Sequence, residues 1–318
     1  MSKRSLLEHR FWLSVVIPVA IASTFVGLSI IWNQDYGLTL FLFTPFLIGL
    51  VSGLIYRPRN KQEIGMAILG TTLSFVLIGF VVMAIRIEGL VCLAMAVPLA
   101  LPISIVSILI SYFVLRSNAN QTNQFSVLTI LVLSVPFLMG FEASHKRIPA
   151  LHEVVTTIEV DAPIETVWKN VIEFPQINEE PYGILQLGFA YPINAKIEGT
   201  GVGAIRYCNF NTGSFVEPIT EWNEPWLLAF DVAEQPPIMI ETGLTGRFQT
   251  AHLDYLRSKR GQFKLSEKDG KTVIEGTTFY THDIAPAWYW SFYSDRIIHQ
   301  IHLRVLNHIK KVSEQKAN

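Results

Sequence analysis

Charge is scarce in this chain of 318 residues: Asp, Glu, Lys and Arg make up 16% of it, against about a quarter in ordinary soluble domains. Hydrophobic residues make up 50%, so part of the chain is suited to lipid rather than water. Cysteine is scarcer still, with only Cys92 and Cys208. One lies in an apolar run and the other in a polar half, which excludes a disulfide framework and makes a bridge between them improbable. No basic tail or stripe exists, so a nucleic-acid backbone is not an expected partner. Collagen-like and disordered classes are excluded by the same composition.

The near-neutral total, 25 basic against 26 acidic residues, conceals two unlike halves. Up to Arg147 there are ten Lys or Arg and five Asp or Glu; from Ile148 onward there are fifteen and twenty-one. The first half carries five apolar runs, at Phe11 to Trp32, Leu38 to Tyr56, Gly65 to Ile85, Leu90 to Leu115 and Phe125 to Phe141. A helix of about 20 residues crosses a bilayer core, so the expectation is an all-α transmembrane bundle of about five helices in the cell membrane, the fifth run being the shortest. Lys3, Arg4, Arg10, Arg57, Arg59, Lys61 and Arg116 flank one side, and Arg86, Lys146 and Arg147 the other. Basic flanks stay in the cytoplasm, which predicts a cytoplasmic N-terminus and, after five crossings, an extracytoplasmic second half.

No ionisable residue sits at the middle of any run, which disfavours an ion-driven carrier. Gly49 and Gly53 have the spacing that lets two helices approach closely. Pro18, Pro45, Pro98, Pro102 and Pro136 are tolerable in spans and can kink them. Glu88, at the start of the fourth run, has two readings. It is a carboxylate at the positive end of a helix, or it faces a site with Cys92 one turn deeper on the same side.

After a linker, residues 142–152, the pattern becomes alternating. Val154 to Val160 reads as a strand; Asp161 is the expected cap of a helix whose buried face is Val167, Trp168, Val171 and Ile172. An antiparallel meander follows, with Asn211-Thr-Gly and Lys268-Asp-Gly as hairpin turns. The stretch from Gln235 to Arg260 shows no period and reads as a long loop or lid. A helix of about 25 residues after Pro286 closes the chain. Strand, helix, meander and long last helix together predict an α+β helix-grip fold over residues 153–318, behind a transmembrane region over 1–141.

The segment TTIEVDAPIETVWKNVIEF, Thr156 to Phe174, resembles the opening of the START-like, or SRPBCC, superfamily, which includes polyketide cyclase/dehydrase and lipid-transport proteins. The resemblance spans about Glu153 to Ser313 and leaves the membrane half aside. It implies a deep apolar pocket for a lipid, polyketide or other hydrophobic small molecule, with no cofactor, and it identifies no catalytic group.

Polar residues that could work in such a pocket form three sets. Asp295 and His302 fall about 20° apart on the last helix, with His299 near them; they are ligand-binding or metal-ligating candidates. Tyr280 and His282 share one strand face and Glu275 the other, with Asp283 beyond; Tyr280, His282 and His299 are the candidate acid/base groups. Arg206 and Cys208 share a strand face, with Glu217 on the hairpin partner; the pair is a structural ion pair or a headgroup site. Trp290, in the aromatic run Trp288 to Tyr293, is a pocket-mouth or bilayer-interface candidate. The favoured function is binding of a lipid-like molecule by a membrane-tethered domain. The alternatives are a cyclase- or dehydratase-like enzyme acting on a carbonyl compound and a ligand-responsive membrane sensor or scaffold.

Overall fold

The computed structural model describes residues 3–116, 121–145, 148–249 and 255–317. The flanking residues Lys146 and Arg147, the side chains of Lys3 and Arg4, and part of the expected 235–260 loop lie outside that description. In chain order the elements are α1 (Lys3–Gly27), α2 (Thr44–Tyr56), α3 (Lys61–Ala84), α4 (Leu90–Arg116), α5 (Gln121–Ser144), β1 (Leu151–Val160), α6 (Ile164–Ile172), β2 (Pro192–Glu198), β3 (Ile205–Phe210), β4 (Gly213–Asn223), β5 (Leu227–Asp231), β6 (Glu241–Gly243), β7 (Gly246–Phe248), β8 (Leu256–Lys268), β9 (Lys271–His282) and α7 (Ala287–Ala317). They form two compact units.

The helical unit contains α1 to α5, the residues Glu241–Thr250 and the residues Ile284–Pro286. Among the described residues four helices are long and apolar enough to cross a membrane, at Glu8–Trp32, Thr39–Tyr56, Lys61–Ala84 and Leu90–Arg116. The apolar part of α5, Leu128–Ser144, is shorter. Polar chemistry marks the helix ends. Asn60 caps α3 by accepting the Glu63 amide at 2.9 Å, and Glu63 reaches back to the Arg59 amide at 2.8 Å, reciprocal capping that satisfies donors a helix start leaves open. Pro45 sits in the first turn of α2, where no backbone donor is lost. Gly49 and Gly53 lie against α4 so closely that a Cβ on Gly49 would fall 2.3 Å from the Ser104 carbonyl oxygen.

The second unit is a seven-stranded sheet in the order β1-β9-β8-β5-β4-β3-β2, antiparallel throughout, together with α6 and α7. Its core joins Val167, Trp168 and Val171 of α6 to Val305, Leu306 and Ile309 of α7 and to Ile219, Leu228, Leu265 and Ile274 of the sheet. A curled antiparallel sheet with a long C-terminal helix is the helix-grip arrangement expected from the order of elements.

Three local expectations are corrected. Pro163, not Asp161, precedes α6, without a side-chain cap; proline already presets the helical start, and the Asp161 amide is bonded instead by Glu314 at 2.9 Å. The 235–260 stretch contains the β6–β7 hairpin and the first strand residues of β8, and the hairpin belongs to the helical unit. Its strands are only three residues each, too short to show a period. The last helix has 31 residues, longer than expected, because its polar end still packs through Ser313, which accepts from Asn170 at 2.9 Å.

Candidate ligand site in the sheet unit

The cavity of the sheet unit lies between α7 and strands β3, β4, β5, β8 and β9. Phe210, Phe215, Phe230, Phe263, Ile301 and Val305 supply most of its apolar wall, and Arg206, Cys208, Glu217, Thr278 and His302 its polar groups. Strand alternation is what converges them: Arg206, Cys208 and Phe210 are spaced by two along β3, and the β3–β4 register sets Arg206 opposite Glu217. The volume is about 100 Å³, well below the roughly 300–1,000 Å³ of drug-sized ligand pockets. A lipid tail does not fit in this conformation, so the deep pocket implied by the resemblance is here a small chamber. Arg260, also among the wall residues, is exposed.

Arg206 is 1% exposed. Its Nε donates to the Ile172 carbonyl at 3.0 Å, its Nη1 donates to Glu217, and the rings of Phe174, Phe230 and Phe263 lie within 5.8 Å of the guanidinium carbon. A buried cation needs such compensation. Among the described residues Nη2 meets no hydrogen-bond acceptor. Burial pushes the Glu217 carboxyl up while Arg206 pulls it back. Burial, reinforced by Glu217, pushes the Cys208 thiol up to about 12, so at neutral pH it is a thiol and not a nucleophile.

The remaining candidates separate. His302 lines the chamber, with Nδ1 3.1 Å from the Thr156 hydroxyl and Nε2 2.7 Å from that of Thr278. Burial, with His299 adding to it, lowers its pKa to about 4, so it is neutral. His299 shares Thr156, at 2.7 Å from Nδ1. Asp295 does not join these histidines. It accepts the Tyr280 hydroxyl at 2.5 Å, and burial together with Asp295 pushes the tyrosine pKa far up. Tyr280 and His282 are buried on one face of β9, as parity predicts, and Glu275 is on the other. His282 stacks on His152 at 4.9 Å. Neither Tyr280 nor His282 reaches the chamber. Trp290 is buried among Tyr289 and Tyr293, whereas Trp288 and Phe292 are exposed.

Sequence reasoning missed Thr156 and Thr278. Thr278 was legible from parity, two residues before Tyr280 on the same strand face; Thr156 was not, because its role depends on where α7 lies along β1.

No protein-family model and no curated protein matches this sequence. Solved structures similar to it, START-like proteins among them, match mainly the C-terminal half. They include a protein from Nitrosospira multiformis, 17% identical with a TM-score of 0.33 over 52% of this chain and 98% of that one. Truncated norcoclaurine synthase from Thalictrum flavum is 16% identical with a TM-score of 0.33 over 52% and 94%. The di-domain ARO/CYC StfQ from the steffimycin biosynthetic pathway is 8% identical with a TM-score of 0.35 over 64% and 63%. Similarity at this level assigns neither a ligand nor a reaction to this chain.

Proposed function

We propose that the protein is a membrane-tethered START-like module that binds a small amphiphile, holding its polar head in the chamber of the sheet unit. One observation carries this reading. One buried polar atom of this apolar chamber, the Arg206 Nη2, meets no hydrogen-bond acceptor among the described residues. Buried polar groups left this way are satisfied by water or by a ligand, and a guanidinium suits a carboxylate, phosphate or carbonyl oxygen. The chamber volume admits a head and little more, so the rest of the ligand extends past Arg260 or displaces the helix side chains of the wall.

The four apolar helices support the tether, which predicts that the chain stays with the membrane after alkaline carbonate extraction. With α5 as a fifth crossing the sheet unit lies outside the cytoplasm, and exposed Trp288 and Phe292 are suited to the bilayer interface. The enzyme reading has less support. Tyr280 is tied to Asp295 and lies outside the chamber wall, His282 is also outside it, and His302 is neutral with both ring nitrogens hydrogen-bonded.

Phenylpropanoate and the isosteric uncharged phenylpropanol are suitable first probes for the full-length protein in mild detergent, followed by ligand-detected NMR. Val232 also lines the chamber, and Val232→Phe fills it. Saturable binding of the acid that is stronger than that of the alcohol and is lost in Val232→Phe supports the proposal. Binding that ignores the head and the chamber substitution defeats it.

A further inference from the structure

A second cluster of chemistry-bearing side chains lies in the helical unit. Glu88 precedes α4, Cys92 is in its first turn, and Glu241 arrives on the β6–β7 hairpin. One ligand atom from each lies within 4.8 Å of the other two. Glu88 is 8% exposed and Glu241 is 0% exposed. The hydroxyl of Tyr36 donates to Glu88 Oε1 and fixes that carboxylate. Glu241 is pressed against the helix start: a Cβ on Gly89 would fall 2.0 Å from its Oε2, so only glycine admits it there.

Two carboxylates this close and this far from water repel unless a proton or a cation lies between them. The amides of Val91 and Cys92 and the Cys92 thiol are near Glu241, yet neither of its oxygens makes a well-formed hydrogen bond. A helix start alone therefore does not account for this carboxylate. Among the described residues no cationic side chain pairs with it, while a third donor, sulfur, stands beside it. Calcium and magnesium take oxygen donors, whereas a thiolate with carboxylates suits zinc and its neighbours in the first transition row.

We propose that Glu88, Cys92 and Glu241 bind one divalent transition-metal ion of the zinc class, with Tyr36 orienting Glu88. The Cys92 thiol releases its proton to solvent as the sulfur–metal bond forms. Three protein donors leave a fourth position for water or another ligand. Such a bond set fastens the β6–β7 hairpin to the first turn of α4, which its six strand residues alone do weakly.

The test uses full-length protein in mild detergent, stripped with chelator and titrated with Co²⁺, then with Zn²⁺. The expected result is a saturable thiolate-to-cobalt charge-transfer absorption that Zn²⁺ removes. Cys92→Ser abolishes the absorption, and Glu241→Gln weakens metal affinity by at least about tenfold. Wild-type protein without that absorption overturns the proposal, and because this reading needs no variant it stands even where a substitution prevents folding. Metal retained unchanged in Cys92→Ser also overturns it.

Discussion

Arg206 and Glu217 form an ion pair whose side chains are only 2% and 8% exposed. Adjacent strands hold them across the β3–β4 register, and the pair lines the chamber, so the same two residues bear on stability and on ligand recognition. Removing one partner leaves an uncompensated buried charge. Arg206→Met is expected to destabilise the sheet unit by about 3–5 kcal/mol, while Arg206→Met with Glu217→Leu, which removes both charges, costs far less. Denaturant unfolding of the two variants checks this; equal losses would mean that the ion pair is not the reason.

His302 is buried neutral, with its pKa lowered to about 4 from 6.5. A histidine whose folded pKa is depressed binds fewer protons folded than unfolded. Its contribution is complete above about pH 6.5 and is lost as pH falls toward 4. The shift corresponds to at most about 3 kcal/mol. Unfolding curves of wild type and His302→Gln between those pH values are expected to converge as pH falls, because glutamine keeps a hydrogen bond to a threonine and does not titrate. Parallel curves would show that His302 is not the group responsible.

Gly49 and Gly65 make a paired prediction in the helical unit. A Cβ at Gly49 meets the Ser104 backbone, whereas one at Gly65 meets nothing within 4 Å. Gly49→Ala is expected to lower stability in detergent by about 1–3 kcal/mol through separation of α2 and α4. Gly65→Ala should be neutral or stabilising, since alanine favours a helix over glycine by up to about 1 kcal/mol. Thermal unfolding of the two variants decides it, and a loss at both positions would contradict close packing as the cause.

Cys208 is buried, and its thiol pKa of about 12 leaves little thiolate at neutral pH. In native protein treated with iodoacetamide at pH 8, peptide mapping should find Cys208 unmodified, and unfolding in denaturant should expose it. Rapid modification of the native thiol would mean that the β3 wall opens.

What the sequence disclosed follows from interaction range. The Thr156 to Phe174 segment reads directly as strand and helix because proline placement and apolar spacing act within a few residues, and parity along β9 put Tyr280 and His282 on one face. The Gly49–Gly53 spacing likewise anticipated the approach to α4. Partners chosen by tertiary packing were hidden. Asp295 has helical proximity to His302 yet turns to Tyr280 on β9, because a buried tyrosine hydroxyl must find an acceptor. Glu88 and Cys92 were visible as one helix face, but Glu241 was not, since it lies in a stretch with no periodicity and comes to α4 only through a three-residue strand. The small volume of the chamber was also invisible, because it depends on how deeply α7 sits against the sheet.

The most direct test of the proposed function is native mass spectrometry of the full-length chain released from its own membranes in mild detergent. The account predicts a stoichiometric adduct of a small amphiphile with an anionic or carbonyl head, absent from folded Val232→Phe. Folded wild-type protein that remains empty after incubation with a membrane extract would contradict it.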